Sequence, residues 1–441
     1  MKHSKYFIYI KMSSIFLFHR DFRTIDNMSL SALSRLSKSI HPIFILTPHQ
    51  VDPDKNPYYN KRIILFMMEC VLAIPHLQIF YGDTIDVLES LFKLNDITHI
   101  GFNLDYTPYA IKRTKRVEKL AKAYGVNVVA HEDYTTLEMQ QFRDKGHYKV
   151  FKPFYENLLK QEVPVPSLTD VSKYFSKMPL KCASAFRFEF KQRTRDTHRK
   201  DALAILRDKG LVKNYTETRS IPSIDTTHLS KYIKFGVVSI REVFYAYKGN
   251  RSATDLLRQV IWHDFYASLM YFTPPHDTIG GGNLQHKKQK WKSNAVFFRK
   301  WCEGKTGFPL VDAGMRQLNE TGWMHNRVRL IVSNFLTMTL GIDWHKGEKY
   351  FAQQLIDYDV SSNNLNWQFS AQVGTDRNPF VRIYNPFLQS QKYDPDAIYI
   401  KRWIPELSDV SVRDIHKWDK KWEEYTEDTD YPKPIIIKKS K

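Results

Sequence analysis

The sequence has only three cysteines, and Cys70, Cys182 and Cys302 lie far apart. This spacing argues against a disulfide framework and against a paired-cysteine metal site, and it is typical of a reducing compartment. The apolar run from Ile15 to Phe18 is too short to cross a bilayer, and the basic start before it lacks a small-residue cleavage site. We therefore expect an intracellular protein without a resident metal, outside the membrane and not secreted; nucleus, cytoplasm and virion are not distinguished.

Acidic residues are scarce relative to basic ones, with 47 Asp and Glu against 66 Lys and Arg, so the formal net charge is +19. Such an excess favours a polyanionic partner, and DNA, RNA and anionic lipid are all eligible. Charge alone is equally compatible with a role in solubility. With 42% apolar residues over a length of 441, the chain can bury a large core, and this length predicts two domains.

Short apolar runs alternate with amphipathic stretches in the first third of the chain, in the order SIFLF, PIFIL, QIFYG, THIGF and VNVVA. This βαβ rhythm predicts an α/β domain with a parallel, doubly wound sheet, whose ligands usually bind at the carboxyl ends of the strands. No GxGxxG fingerprint of a dinucleotide site accompanies the pattern.

From about Lys200 onward, apolar residues recur three and four positions apart, which predicts a mostly α-helical second domain. Between the two patterns lies a proline-containing stretch with few periodic apolar positions, which predicts a connector. The predicted organisation is an α/β domain at 12–140, a connector at 141–199 and a helical domain at 200–441.

Three polar or aromatic clusters interrupt the helical pattern. In RQVIWHDFY, helical spacing predicts that Gln259, Trp262, His263 and Tyr266 share one face, although ordinary packing is the commoner explanation of such a stripe. In GWMHNRVRLI, two arginines could hold phosphates or carboxylates on different sides of a helix. In LIDYDVSSNN, two aspartates suggest acid-base or metal chemistry, but a polar loop is the default interpretation.

Read in order, these and further motifs closely resemble the photolyase and cryptochrome family. They include TTHLSKYIKFG, QVIWHDFY, WKSN, EGKTGFPLVDAGMRQL, TGWMHNRVR, LIDYDVSSNN, VRIYNP, KYDPDAIYIKRWIPEL and DYPKPI. FHRDFRTIDN and FNLDYTPYA resemble the amino-terminal antenna domain of the same family, so that the resemblance covers nearly the whole chain. It is closest to the class I cyclobutane pyrimidine dimer photolyases.

The resemblance implies that the helical domain binds FAD, which is active in its reduced form. Its phosphates would be held by Tyr215, Arg219, Thr226, Thr227, His228, Leu229 and Ser230. Arg329, Asp357 and Asp359 would face the flavin ring, and Gln259 would lie near the adenine. Asn363 matches the position opposite flavin N5, where asparagine is the photolyase choice. A second, antenna chromophore is implied as possible, without distinguishing a folate from a deazaflavin.

The family's electron-relay chain, which photoreduces the flavin from the surface, is matched by Trp367, Trp344 and Trp291. On the DNA side, Trp262 would stack on a dimer flipped out of the duplex, and Asn326 and Gln259 would hydrogen-bond near it. Further DNA contacts are implied for Arg327, Phe369, Arg382 and Lys392. The implied partner is ultraviolet-damaged DNA, and a monomer with no obligate protein partner and no membrane is expected.

Four positions depart from the class I pattern, namely Gln259 for Glu, His263 for Arg, Leu330 for Met and Phe369 for Trp. Loss of the glutamate removes a group that can hydrogen-bond the dimer and stabilise its radical anion, so efficiency or substrate choice can change. Glutamine also resembles six-four photolyases, but those have a histidine after His325, where this chain has Asn326.

Four other functions compete with this one. A six-four photolyase is the second choice, and DYDVSSN resembles the DASH cryptochromes, which favour lesions in single-stranded DNA. A signalling cryptochrome would keep FAD and the tryptophans but use light to change a partner interaction. Asn363 and the lack of a long carboxyl-terminal extension argue against a signalling role. An inactive nucleic-acid-binding protein conflicts with retention of the flavin-contacting positions.

Overall fold

The computed structural model describes residues 13–143, 147–187, 198–273, 290–374 and 382–436. Five strands form one sheet in the order β3-β2-β1-β4-β5, and every neighbouring pair is parallel. The strands are β1 (Ser13–Leu17), β2 (Ile40–Leu46), β3 (Gln78–Tyr81), β4 (Ile97–Leu104) and β5 (Asn127–Glu132). The predicted parallel α/β domain is therefore confirmed, although its first predicted residue, Met12, lies outside the described residues.

Five helices connect and cover these strands: α1 (Met28–Leu36), α2 (Pro48–Val51), α3 (Lys61–Leu72), α4 (Thr84–Leu94) and α5 (Pro108–Ala123). Short polar residues begin four of them, because the side chains of Asn27, Asn60, Asp83 and Thr107 accept hydrogen bonds from the free N–H groups of the first turn. The helices bury both faces of the sheet at β1 and β2, as is usual for a parallel sheet, whereas the edge strand β5 is largely exposed or half-buried.

The two faces of β1 enter different cores. Ile15 and Leu17 pack with residues of α4 and α5, whereas Phe16 and Phe18 belong to a larger core that continues into the second domain. Successive side chains of a strand point to opposite faces, so one short apolar strand serves both cores. The sheet face that carries Phe16 and Phe18 is thus the one that supports the helical domain.

The predicted connector contains more order than its sequence pattern indicated. Residues Phe151–Leu158 form α6, and Phe151, Phe154 and Leu158 are buried. These three apolar residues recur at intervals of three and four, which is enough to give a two-turn helix one buried face. Residues 144–146 and 188–197 of the connector lie outside the described residues.

The second domain is helical, as predicted. Its helices are α7 (His198–Arg207), α8 (Lys209–Thr218), α9 (Ser230–Lys234), α10 (Ile240–Tyr247), α11 (Thr254–Phe272), α12 (Ala295–Glu303), α13 (Pro309–Thr321), α14 (Asn326–Asn334), α15 (Trp344–Gln354), α16 (Val360–Ser370), α17 (Pro386–Tyr393), α18 (Ile398–Trp403), α19 (Val412–Ile415) and α20 (Trp418–Lys421). A π-helical turn, Phe335–Thr339, continues α14. Short 3₁₀ turns occur at Met139–Phe142, Ser172–Tyr174, Ser184–Phe186, Arg251–Ala253, Pro405–Leu407 and Trp422–Tyr425. In the part of the chain that the structure describes, no helix is both long and apolar enough to cross a membrane.

Candidate functional site

A cavity opens between the helices α14, α15 and α16. The site cavity, as we call it below, is lined by Asn326, Arg329, Leu330, Ser333, Phe351, Leu355, Asp357, Tyr358, Asp359, Ser362, Asn363, Asn366, Trp367 and Ser370. Seven residues singled out from the sequence therefore meet around one space: Asn326, Arg329, Leu330, Asp357, Asp359, Asn363 and Trp367.

The run LIDYDVSSNN is not the polar loop that its composition favours. Residues Val360–Ser370 form α16, and Asp359 caps that helix by accepting a hydrogen bond from the backbone N–H of Ser362 at 3.0 Å. Short polar side chains disfavour the interior of a helix but stabilise its first turn. Asp359 therefore begins the helix instead of preventing it, and Asn363 enters the wall of the site cavity.

Arg329 and Asp357 form one polar edge of the site cavity. The Arg329 guanidinium donates to both carboxylate oxygens of Asp357, at 3.2 and 2.9 Å, and its Nε donates to the backbone oxygen of Met324 at 2.8 Å. Ser230 Oγ adds a hydrogen bond to Asp357 Oδ2 at 2.6 Å. The aspartate is thus held by a charge-assisted contact, in which Arg329 Nη2 reaches both of its oxygens, and by a hydroxyl. These contacts fix the orientation of the carboxylate.

Asp359 links the site cavity to the α/β domain. Its Oδ2 accepts hydrogen bonds from Arg20 Nη1 at 2.7 Å and from the Tyr134 hydroxyl at 2.6 Å. Arg20 also pairs with Asp105 at 2.7 Å, and its guanidinium lies 3.6 Å from the centre of the Tyr134 ring. Although burial opposes ionisation of Asp359, the charge of Arg20 holds its pKa well below the usual range. Asp359 is therefore an anion that joins the two domains.

Asn363 is fixed by a buried carboxyl group that the sequence analysis did not single out. Asn363 Nδ2 donates to Glu348 Oε1 at 3.1 Å, and the Tyr358 hydroxyl donates to the same oxygen at 3.2 Å. Burial raises the pKa of Glu348. Because the Asn363 amide nitrogen is committed to Glu348, the amide oxygen remains as its free polar atom.

The apolar wall of the site cavity is built around Trp367. Its ring lies 5.0 Å from Phe351 and 6.1 Å from Trp301, a fully buried residue that sequence reasoning missed. A Cβ at Gly347 would lie 2.2 Å from the Trp367 ring, so only glycine fits there. The mixture of an apolar wall with a carboxylate, a guanidinium and an amide suits a flat heteroaromatic ligand that has both N–H and C=O groups.

The other two predicted relay tryptophans differ in exposure. Trp344 begins α15, the helix that also carries Gly347, and it is buried with its ring 3.8 Å from that of His345. Trp291 is partly exposed, and its neighbour Lys292 donates a backbone hydrogen bond to Gly341. The three predicted relay residues thus comprise two buried tryptophans, one of which lines the site cavity, and one that is partly exposed.

The segment predicted to hold phosphates adjoins the site cavity through Ser230, the first residue of α9. His228 has a positive φ of 49°, and its ring lies 4.0 Å from that of Trp323. Tyr215 lies on α8, and Arg219 at the end of that helix pairs with Asp255 at 3.6 Å. Of the remaining members, Thr226 and Thr227 are half-buried, and Leu229 is buried.

Helix α11 carries the predicted lesion-side residues. Trp262 is stacked on Phe151 with ring centres 3.7 Å apart, and it lies 5.4 Å from Tyr266. The Tyr266 hydroxyl donates to Asn366 Oδ1 at 3.1 Å, which joins this side of the helix to the site cavity. His263 packs instead on Tyr134 at 4.5 Å. Gln259 is half-buried one turn before Trp262.

Two of the predicted DNA contacts share one aromatic ring. Arg327 lies 4.6 Å and Lys392 5.3 Å from the centre of the Tyr393 ring, and Arg327 also donates to Ser220 Oγ at 3.0 Å. Arg382 is exposed, with its backbone oxygen accepting from Asn334 Nδ2 at 3.0 Å. Phe369 on α16 is half-buried. Three cations therefore lie on the helical domain at or near its surface.

A second cavity, of about 420 Å³, lies at the carboxyl ends of β1 and β4. The chain leaves these two neighbouring strands in opposite directions across the sheet, and such points are where doubly wound sheets bind ligands. This strand-end cleft is lined by His19, Arg20, Asp21, Arg23, Asn103, Leu104, Asp105, Asp133, Tyr134, Ile233, Gly236, Val238 and Ile240. Burial lowers the pKa of His19 well below its usual value, so the ring is neutral at pH 7.

Two models of known protein families match the chain: DNA photolyase matches residues 14–169, and the FAD binding domain of DNA photolyase matches residues 256–441. The chain is 31% identical to the deoxyribodipyrimidine photo-lyase of Escherichia coli, over 95% of this chain and 94% of that protein. It superposes on the archaeal photolyase of Sulfolobus tokodaii, solved with two FAD molecules, with a TM-score of 0.81, 32% identity and 96% of each chain covered. The class III photolyase of Agrobacterium tumefaciens gives a TM-score of 0.83 at 27% identity, over 98% of this chain and 96% of that one.

Proposed function

The chain belongs to the DNA photolyase family, and from this premise we propose that it uses light to repair cyclobutane pyrimidine dimers in ultraviolet-damaged DNA. The observation that carries the proposal is the site cavity, because Arg329, Asp357 and Asn363 meet on its wall. By the resemblance, these are the positions that face the flavin. The reaction class is that of relatives named deoxyribodipyrimidine photo-lyase, which match over nearly their whole length.

The residues around the site cavity fit the ring of FAD. Asp357 and Arg329 offer an acceptor and a donor for the ring's polar edge, while Phe351 and Trp367 offer apolar contact. Tyr215, Arg219 and the segment 226–230 would hold the phosphates and the sugar. When bound and reduced, FAD supplies an electron to the dimer under light and recovers it after the cyclobutane ring has opened, so the protein contributes position and electrostatics.

The chain's own polar groups prepare this site before the cofactor binds. Arg329 and Ser230 orient Asp357, and Arg20 keeps Asp359 ionised. Glu348 takes the amide N–H of Asn363, so the amide oxygen is left as the acceptor for an N–H group of the ring. Preorganised groups of this kind stabilise charge in a buried site without having to reorient during the reaction.

On the DNA side, Trp262 would offer a stacking surface for a dimer that has left the duplex, and Asn326 and Gln259 would hydrogen-bond to it. A dimer stacks poorly in the duplex, which lowers the cost of flipping it out. Arg327, Arg382 and Lys392 would contact phosphates, which fixes the register of the DNA without reading its sequence. Phe369 would be an apolar neighbour of the lesion.

Photoreduction of the cofactor would use Trp367, Trp344 and Trp291 as the relay. Trp367 lines the site cavity and Trp291 is partly exposed, and these two positions suit the inner and outer ends of such a relay. The strand-end cleft is our candidate for a second chromophore. Its lining of His19, Arg20 and Asn103 does not distinguish a folate from a deazaflavin or a second flavin.

The test is a repair assay with duplex and single-stranded oligonucleotides that carry either a cyclobutane dimer or a six-four lesion. Light-dependent loss of the cyclobutane dimer by the photoreduced protein is the expected result. Repair of the six-four lesion alone would support the second candidate, which Gln259 favours. Bound, photoreducible FAD without any repair would overturn the proposal in favour of a signalling photoreceptor.

A further inference from the structure

The indole of Trp262 has one of its two faces covered. The ring of Phe151 lies parallel to it, with an angle of 2° between the planes and 3.7 Å between the centres. A base that stacks on Trp262 therefore has only the opposite face available. We propose that Phe151, from the connector, is a positioning residue that holds the Trp262 indole ready to stack on the lesion. This inference rests on the proposed function.

The parallel arrangement is imposed by the surrounding packing. Two aromatic rings prefer offset or edge-to-face contacts over a full face-to-face sandwich. Phe151 is 7% exposed, and its ring lies 5.7 Å from that of Phe265 on α11. Phe154, one turn further along α6, packs separately against Phe265 at 5.3 Å and Phe142 at 5.1 Å. Because Phe151 is buried by its own contacts, its ring is confined beside the indole.

The indole is held from other directions as well. Phe265 meets its ring edge-on at 5.5 Å and 81°, and Tyr266 lies 5.4 Å away. The Tyr266 hydroxyl is tied to Asn366, a residue of the site cavity. Arg258, on the outer side, lies 5.6 Å from the centre of Phe151. Trp262 is therefore fixed before DNA binds, and ordering it costs no further conformational entropy on binding.

The first variant removes the ring of Phe151 and keeps an apolar side chain of similar reach. Phe151→Leu frees one face of the Trp262 indole. The indole must then become ordered when the lesion binds. We expect the Kd for a dimer-containing oligonucleotide, measured in the dark, to rise about threefold to tenfold. Repair per absorbed photon in the saturated complex and the FAD content should equal those of the parent protein.

Two matched variants separate positioning from general packing. Phe154→Leu makes the same substitution on the same helix, but Phe154 contacts Phe265 and not Trp262. It should leave the Kd unchanged even where it lowers the melting temperature. Phe151→Tyr retains the ring face and should bind the dimer as the parent does. Equal weakening by Phe151→Leu and Phe154→Leu would overturn the inference, as would a Phe151→Leu protein with the parent's Kd.

A double-mutant cycle with Trp262→Leu completes the test. If Phe151 acts through the indole, Phe151→Leu should add no further weakening once Trp262 has been replaced. Equal weakening in both backgrounds would contradict the inference. Failure of the proposed function is seen separately, in a parent protein that binds FAD but repairs no cyclobutane dimer. A parent that repairs dimers, with Phe151→Leu binding them equally well, would overturn the positioning role alone.

Discussion

Replacing Gly347 by alanine should displace Trp367 and so distort the wall of the proposed flavin site. The added methyl group would lie 2.2 and 2.5 Å from two atoms of the Trp367 six-membered ring and 2.6 Å from Leu336 Cδ2. Contacts below 3.0 Å force a neighbour to move, and Trp367 is 2% exposed within the core. The indole can therefore yield only by shifting within its wall of the site cavity.

The magnitude follows from two opposing effects. Overpacking a core costs about 1–3 kcal/mol, and alanine is favoured over glycine inside a helix by about 1 kcal/mol. Because three contacts fall below 3.0 Å, the overpacking cost should lie at the upper end of its range, so we expect Gly347→Ala to lower the free energy of unfolding by about 2 kcal/mol and to reduce the FAD content after purification. Urea unfolding followed by circular dichroism measures the first effect, and the ratio of flavin to protein absorbance measures the second.

The same substitution in a Trp367→Phe protein shows whether the clash with Trp367 causes the loss of stability and FAD. In Trp367→Phe the smaller ring lacks the two atoms that meet the new methyl group, so Gly347→Ala should then cost much less. An equal loss in both backgrounds would show that Leu336 Cδ2, 2.6 Å from the added methyl group, and not the indole, resists the substitution. Unchanged stability and FAD content in Gly347→Ala itself would refute the packing argument altogether.

Two further predictions concern buried carboxyl groups. Asp359→Asn removes one of the two carboxylates that pair with Arg20, leaving Asp105, and should cost about 1.5–3 kcal/mol in urea unfolding at pH 7, whereas Asp54→Asn, at an exposed position, should cost nothing. Since the pKa of Asp359 is depressed on folding, its contribution is present above about pH 4 and is lost as the pH falls further, so the variant should respond less to acid. Glu348→Gln keeps an oxygen that can accept hydrogen bonds from Asn363 and Tyr358. In the parent protein, burial raises the pKa of Glu348, so the protein loses stability as the pH rises and this carboxyl group ionises. The Glu348→Gln protein should be at least as stable as the parent at pH 7 and should lose less of its free energy of unfolding as the pH rises above about 5. A Glu348→Gln protein that is less stable than the parent would contradict this.

The fold was largely predictable because its signals are local. Each of the five predicted strands is a short apolar run, and the helices between them begin at residues such as Asn60 and Asp83 that cap a first turn. The connector was harder, because α6 buries only Phe151, Phe154 and Leu158, which is too short a pattern to separate from chance. Tertiary packing against α11, and not helix propensity, stabilises such a short helix.

The residues of the candidate site also divide into those that the sequence predicted and those that it did not. Arg329, Asp357 and Asn363 were identified because they lie in recognisable motifs, but no motif indicated that Asp359 would pair with Arg20, which lies 339 positions earlier. Glu348 was missed for a related reason. Its spacing on a charged helix is that of a surface residue, and only the packing of α15 against α16 places it beside Asn363. Long-range pairings of this kind leave no trace in local sequence patterns.

These pairings also explain why the two domains act as one unit around the flavin site. Arg23 and Arg241 meet Asp133 in a buried network, with two partners from the α/β domain and one from the helical domain. Buried charges are tolerated only when they are paired, so separating the domains would expose or strand these groups. Because Arg20 of the α/β domain also holds Asp359 at the site cavity, the electrostatics of the flavin site depend on residues outside the FAD-binding domain. The sheet domain therefore helps to position the proposed flavin site even when the strand-end cleft holds no chromophore.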